Sequence, residues 1–201
     1  MESDSELFVR YFLGGYFTFI AVFYSFRLIL NRSDNTLTHL GRVGTSHWIG
    51  HITFRFFRLL IWWICVARIF YPEIDHYLGL FPLLKFIWLN LAGVALILSG
   101  FAIILICHRA LGQNWRLGID PTGPDYLLTR HIYSYSRNPI FIGVLIGQFG
   151  FFLALPGIFS LVCLIIGGLS IANQIKLEEA YLSERFGEQY HDYCQKVSRW
   201  F

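Results

Sequence analysis

Three places in the 201-residue chain gather side chains able to do chemistry. One runs from His108-Arg109-Ala110-Leu111-Gly112-Gln113-Asn114-Trp115-Arg116 to Tyr133-Ser134-Tyr135-Ser136-Arg137-Asn138-Pro139. Pro139 suits a first helical turn, where its missing N–H removes no bond. That turn's free N–H groups and positive dipole end can hold an anionic group beside Arg137. The same residues also read as a plain helix cap with an arginine at a membrane edge. The second place is Glu178-Glu179, which follows Asn173-Gln174-Ile175-Lys176-Leu177. Adjacent carboxylates beside apolar surface are costly unless they meet a cation. They read either as a cation-binding pair or as the wet face of an amphipathic helix. The third is His108, which closes an apolar run and can serve as a general base for an amine or thiol. On dipole grounds alone its position favours a histidine stabilising a helix C-terminus.

Metal chemistry is not expected. His47 and His51 are spaced i, i+4, but a membrane di-iron site needs several such pairs and this chain has one. Cys65, Cys107, Cys163 and Cys194 are scattered without a CxxC pair, which argues against zinc and against a disulfide framework. Neither a GxGxxG turn nor a Walker loop is present, so no soluble-type nucleotide fold is expected.

The elements that must position these residues are apolar helices. Hydrophobic residues make up 55% of the chain and charged ones 14%, with a mean hydropathy of +0.52. Such a balance excludes disorder, a nucleic-acid module and an ordinary water-soluble enzyme. Runs of about 20 apolar residues are long enough to span a bilayer. They occur at Leu7 to Leu30, Trp48 to Tyr71 and Pro82 to Cys107. A longer stretch, Pro139 to Ala172, is broken at Leu155-Pro156-Gly157 and reads as a helical hairpin. The expectation is an all-α integral membrane protein of about five transmembrane helices. Residues 1–107 form a three-helix membrane part and residues 108–201 a part carrying the chemistry, within one membrane-embedded unit.

Basic residues orient the bundle. Eleven of the 16 Lys and Arg fall in the gap after the first helix, the gap after the third, and the C-terminal tail. The positive-inside rule then puts the N-terminus outside and the C-terminus in the cytoplasm. The first run follows Glu2, Asp4 and Glu6 rather than basic residues, and so reads as a permanent helix rather than a cleaved signal. Arg55, Arg58 and Arg68 lie in the second run and are expected to snorkel toward headgroups, with binding of an anionic lipid or substrate as the alternative. Gly143 and Gly147 form a GxxxG pair that favours close helix packing.

In this order and spacing the motifs resemble the isoprenylcysteine carboxyl methyltransferase family, within the larger group that includes the phospholipid methyltransferases. The resemblance rests on Leu111-Gly112-x-x-Trp115, Tyr133-x-Tyr135-x-Arg137-Asn138-Pro139-x-Phe141-x-Gly143, the hairpin, Glu178-Glu179 and Phe186-Gly187-x-x-Tyr190-x-x-Tyr193. It implies S-adenosylmethionine as cofactor, bound between the Arg-Asn-Pro segment and the C-terminal helices. Tyr133, Arg137, Asn138, Pro139, Gly143, Glu178, Glu179 and Tyr190 are then the cofactor-binding residues. His108 and Arg137 are the catalytic candidates, and Trp115 and Gln174 face the substrate.

Chemically, the donor's carboxylate suits an arginine, its ammonium suits carboxylates, and its sulfonium suits aromatic faces. The expected acceptor is a lipid-like or apolar small molecule met at the cytoplasmic membrane face, with membrane lipids as partners and no nucleic acid. Three departures stand out. Many members have His where this chain has Asn138, a glycine common before the Tyr133 position is His131 here, and Asn173-Gln174 occupies the region where some members carry an arginine. An NADPH-dependent sterol reductase-like enzyme, which shares an Arg-x-Pro segment and a similar tail, is the alternative activity. A non-catalytic lipid-binding protein is the third reading.

Overall fold

Apolar runs fold as helices, and proline and glycine set their ends. The structure, a computed structural model, describes residues 4–30, 38–39, 44–112, 117–118 and 123–200. In chain order these form α1 (Asp4–Leu30), α2 (Ser46–Phe70), α3 (Ile87–Leu111), α4 (Pro139–Ala154), α5 (Ile158–Phe186) and α6 (Glu188–Lys196). The protein is all-α apart from a two-residue parallel pairing of β1 (Thr38–His39) with β2 (Leu117–Gly118), which the sequence pattern did not announce.

Pro139 opens α4 at its first turn, as its lack of an N–H favours. Pro156-Gly157 separates α4 from α5 as expected of a hairpin. Two boundaries shift. The apolar run at Pro82 begins with a 3-10 turn, Pro82–Leu84, so α3 starts only at Ile87. The fifth helix does not stop near Ala172 but continues to Phe186, carrying Gln174, Glu178 and Glu179 on the same rigid rod.

Among the described residues three helices are long and apolar enough to cross a membrane: Asp4–Arg27, Ile87–Leu111 and Ile158–Phe186. The remaining two long helices explain the difference from five. Arg55, Arg58 and Arg68 dilute the hydropathy of α2. At 16 residues, α4 is about 24 Å long, short of a hydrocarbon core of about 30 Å. Large apolar side chains such as Val22, Phe26, Leu59, Trp63 and Leu169 project outward from these helices, as a lipid-facing surface requires.

The core is built at the end where α1 begins and α2 finishes, from Val9, Leu13, Ile61, Cys65, Ile97 and Phe151. Backbones touch where α3 crosses α4. A Cβ on Gly100 would lie 2.5 Å from the Gly143 carbonyl oxygen, and one on Gly143 would lie 2.7 Å from that of Gly100. This is close packing through small residues, the role its GxxxG spacing favours.

Arg68 does not snorkel. It is buried, and with Arg10 it holds Asp75 in the turn Pro72–Tyr77: Arg68 donates through Nε and, at 3.0 Å, through NH2, and Arg10 donates at 2.8 Å. Burial raises the Asp75 carboxyl, but the hydrogen bonds and charges of Arg68 and Arg10 outweigh it and hold the group below its usual range. A cavity of about 490 Å³ adjoins this cluster.

Candidate functional site

At the other end of the bundle, a cavity of about 340 Å³ opens between all five long helices and α6. Its lining includes His108, Tyr133, Arg137, Asn138, Gln174, Glu178, Glu179 and Tyr190. These residues come from five separate elements. The end of α3 supplies His108, the 3-10 turn His131–Ser134 supplies Tyr133, the entry to α4 supplies Arg137 and Asn138, and α5 and α6 supply the rest.

Helical spacing divides the acidic pair. Consecutive residues on a helix point about 100° apart, so one environment cannot serve both. Glu178 accepts from the Gln174 side chain one turn earlier, at 2.8 Å. Glu179 instead gathers cations. Arg199 grips both its oxygens, with contacts of 3.1, 3.1 and 2.6 Å, and Arg137 lies 3.6 Å away. Asn138 donates to it at 3.1 Å.

Asn138 sits at the N-cap position of α4 yet makes no side-chain cap bond. Its amide goes to Glu179 and, at 3.4 Å, to the Arg199 carbonyl. The plain-cap reading of this segment therefore fails at Asn138. Arg137 donates to the Cys194 sulfur, while its buried Nε has no hydrogen-bond partner among the described residues.

The C-terminal tail runs beside this junction as a strap. The Arg137 N–H donates to the Ser198 carbonyl at 3.1 Å, and Ser136 Oγ donates to the Arg199 carbonyl at 3.2 Å. Tyr193 Oη donates to the Tyr133 carbonyl at 2.6 Å. Sequence reasoning missed Ser136, Cys194, Ser198 and Arg199, because their partners are set by how α6 folds back and not by any spacing.

Burial raises the tyrosine hydroxyls here: Tyr193 is pushed up to about 12, against the opposing charge of Arg137. Tyr133 and Tyr190 are raised further, by burial first and then by nearby negative groups. All three are therefore neutral hydrogen-bonding and aromatic groups at physiological pH. The Arg199 guanidinium is raised by its hydrogen bond to Glu179 and by that carboxylate's charge.

The opposite wall comes from residues to which the motifs gave no part. Tyr24, His51, Phe54 and Arg58, from α1 and α2, line the same cavity. His108 Nδ1 lies 2.8 Å from Arg27 NH1. A guanidinium only donates, so Nδ1 accepts, and a neutral ring keeps its proton on Nε2. In this arrangement the Nδ1 lone pair of His108 is engaged by Arg27. His47 and His51 contact each other through Nε2 atoms at 3.2 Å. Among the described residues no group of three or more His, Cys, Asp or Glu is spaced to hold a metal.

Two described residues to which the motifs assigned a part in binding are not brought to the cavity lining. Pro139 is buried as the first residue of α4. Gly143 faces α3, where it meets Gly100. Trp115 lies outside the described residues.

A sequence model of the phospholipid methyltransferase family matches residues 88–189. That segment covers half the chain and includes α3, the Arg-Asn-Pro junction, the hairpin and the acidic pair. No curated protein matches the chain significantly.

Proposed function

This chain belongs to the phospholipid methyltransferase family, and we propose that it transfers a methyl group from S-adenosylmethionine to an amphiphilic, lipid-like acceptor in the cavity at the Arg137 end of the bundle. One observation carries the reading. Arg137, Glu178, Tyr133 and Tyr190, distant in sequence, converge on one cavity with complementary unmet needs. The buried Arg137 Nε has no hydrogen-bond partner among the described residues and suits the donor's carboxylate. Glu178, which accepts one side-chain hydrogen bond among the described residues, suits its ammonium. The neutral Tyr133 and Tyr190 rings suit a sulfonium. The residues present therefore fit the cofactor.

When bound, S-adenosylmethionine supplies a methyl carbon activated by the adjacent sulfonium. The chain's own contribution is orientation and exclusion of water. Glu179 ties Arg199 to Arg137 and Asn138, which closes the strap over the site; a closed, dry site strengthens the ion pairs inside it. Gln174 gives its amide to Glu178 and so orients that carboxylate toward the donor. Apolar walls from Ile104, Ile140, Phe141 and Val144 suit the chain of an amphiphile reaching in from the bilayer.

In the same reading α1 to α5 all cross the membrane, with the N-terminus outside and the cavity at the cytoplasmic face, as the arginine distribution favours. Labelling of single introduced cysteines from outside intact cells tests this. Modification of a C-terminal cysteine from that side would overturn the orientation. For the activity, calorimetry on the detergent-solubilised protein is decisive. Binding of S-adenosylhomocysteine, with none of NADPH, is the expected result. Binding of NADPH would favour the reductase alternative, and binding of neither would favour a non-catalytic lipid-binding protein.

A further inference from the structure

The cavity of about 490 Å³ at the end of the bundle where α1 begins has no part in methyl transfer, yet it is of a size that holds a small ligand. Its wall draws on the start of α1, the end of α2, the turn Pro72–Tyr77, the start of α3 and the hairpin tip at Leu155-Pro156. The charges in that wall lie at two depths. Arg10 and Arg68 are buried, with side chains 4% and 5% exposed, and both bind Asp75, which is 20% exposed. Nearer the solvent, Lys85 pairs with Glu6 at 3.3 Å, both side chains being partly exposed, and Glu73 and His76 are exposed. Among the described residues the deep part therefore sets two guanidinium groups against one carboxylate.

Asp75 cannot satisfy the whole of Arg68. It takes the edge formed by Nε and NH2, and it shares Oδ2 with Arg10. The other terminal nitrogen of Arg68, NH1, is buried and has no hydrogen-bond partner among the described residues. A buried donor left unbonded carries the full desolvation penalty of that group, which is larger when the group is charged. The apolar wall residues Val9, Leu80, Ile87 and Leu155 offer it no side-chain acceptor. A phosphate oxyanion would, because its oxygens match the planar fork of a guanidinium.

We infer that this cavity is a second ligand site, which takes a phosphate oxyanion on Arg68 with Arg10 beside it. The phosphate belongs either to a lipid headgroup or to a free ion; the apolar wall suits the glycerol and first methylenes of a lipid. The site is independent of the methyl-transfer reading. It lies at the end of the bundle away from Arg137, and Arg10, Arg68 and Asp75 all fall outside the segment 88–189 that carries the family match.

The test uses the full chain in a neutral maltoside micelle and reads hydrogen exchange at Ile74 and Leu78. Their amides donate to the Tyr71 and Asp75 carbonyls at 3.2 and 3.3 Å, so they report on the turn that the ligand would touch. Titration with dihexanoylphosphatidylglycerol, dihexanoylglycerol and inorganic phosphate gives the concentration of each that halves the exchange rate. The phosphatidyl probe should act at a concentration about tenfold or more below that of dihexanoylglycerol, the scale of a charge-assisted bond. Inorganic phosphate acting as well as that probe assigns a free phosphate; a stronger effect of the lipid assigns a headgroup.

Equal effects of the two lipids, or protection by none of the probes, overturns the inference and needs no variant. So does slowing confined to the Arg137 amide, which would put the probe in the other cavity. Arg68→Lys keeps a cation beside Asp75 but gives up the guanidinium fork. It should melt near wild type and lose most of the preference, and a full preference retained in this variant overturns the assignment to Arg68. Should the variant not fold, the wild-type comparison still decides.

Discussion

Replacing Glu178 and Glu179 one at a time by Gln separates two roles that adjacent positions would otherwise blur. Glu178 lines the cavity and accepts from Gln174, and in the proposed site it receives the donor's ammonium. Loss of a charge-assisted hydrogen bond of that kind costs about 1.5–3 kcal/mol, or about 10- to 150-fold in affinity. Glu178→Gln should therefore weaken S-adenosylhomocysteine binding by at least about tenfold, with the protein folded and monodisperse. Glu179 is already committed to Arg199, Arg137 and Asn138.

Arg199 is half exposed, so its bridge to Glu179 contributes no more than about 1 kcal/mol after solvent screening. Glu179→Gln should loosen the strap, which hydrogen exchange reads at the Arg137 amide that donates to Ser198. Arg199→Gln should reproduce that faster exchange. The effect of either strap variant on ligand affinity should be smaller than that of Glu178→Gln. Glu188→Gln, on the exposed start of α6, is the control and should bind normally. Wild-type affinity in Glu178→Gln, together with a large loss in Glu179→Gln, would refute this division of labour. Wild-type affinity in both would place the donor's ammonium elsewhere.

His108→Ala should lower turnover while leaving S-adenosylhomocysteine binding intact; because His108 Nδ1 accepts from Arg27, His108→Asn, whose side-chain carbonyl can accept in its stead, should retain more activity than His108→Ala, and equal loss in both would support a base instead. His131 is the one non-glycine residue with positive φ among the described residues, at 58°, a conformation that costs an L side chain about 1–2 kcal/mol. His131→Gly should hold or raise the thermal midpoint and His131→Val should lower it; a lower midpoint for the glycine variant would show that the imidazole itself stabilises the turn. Asp75, held below its usual range, contributes stability that is present above the ordinary carboxyl value near ~4 and lost as pH falls through the lower folded value. The melting midpoint should thus fall on the acid side in wild type, and Asp75→Asn should flatten that fall while costing about 3–5 kcal/mol at neutral pH, since it removes the carboxylate that holds the buried Arg68.

Much of the architecture was legible because the bilayer imposes it. A backbone in hydrocarbon must satisfy its own polar groups, so long apolar runs become helices, and Leu155-Pro156-Gly157 breaks the last run where the hairpin turns. The spacing of Gly143 likewise favoured the helix contact that it makes with Gly100. His131 follows the same logic: the glycine expected before the Tyr133 position corresponds to a left-handed backbone, which the histidine adopts in its stead.

What the linear pattern could not decide is pairing. Glu178 and Glu179 are equivalent in sequence and both line the cavity, and only the direction each takes from α5 gives one Gln174 as its partner and the other Arg199. Arg58 and Arg68 share one helix and one composition, yet Asp75 folds back to meet Arg68 while Arg58 meets two aromatic rings. Hydropathy and motif spacing are local quantities, summed along the chain. The partner of a charge is set by which helices pack together, and that is decided only when the whole bundle closes.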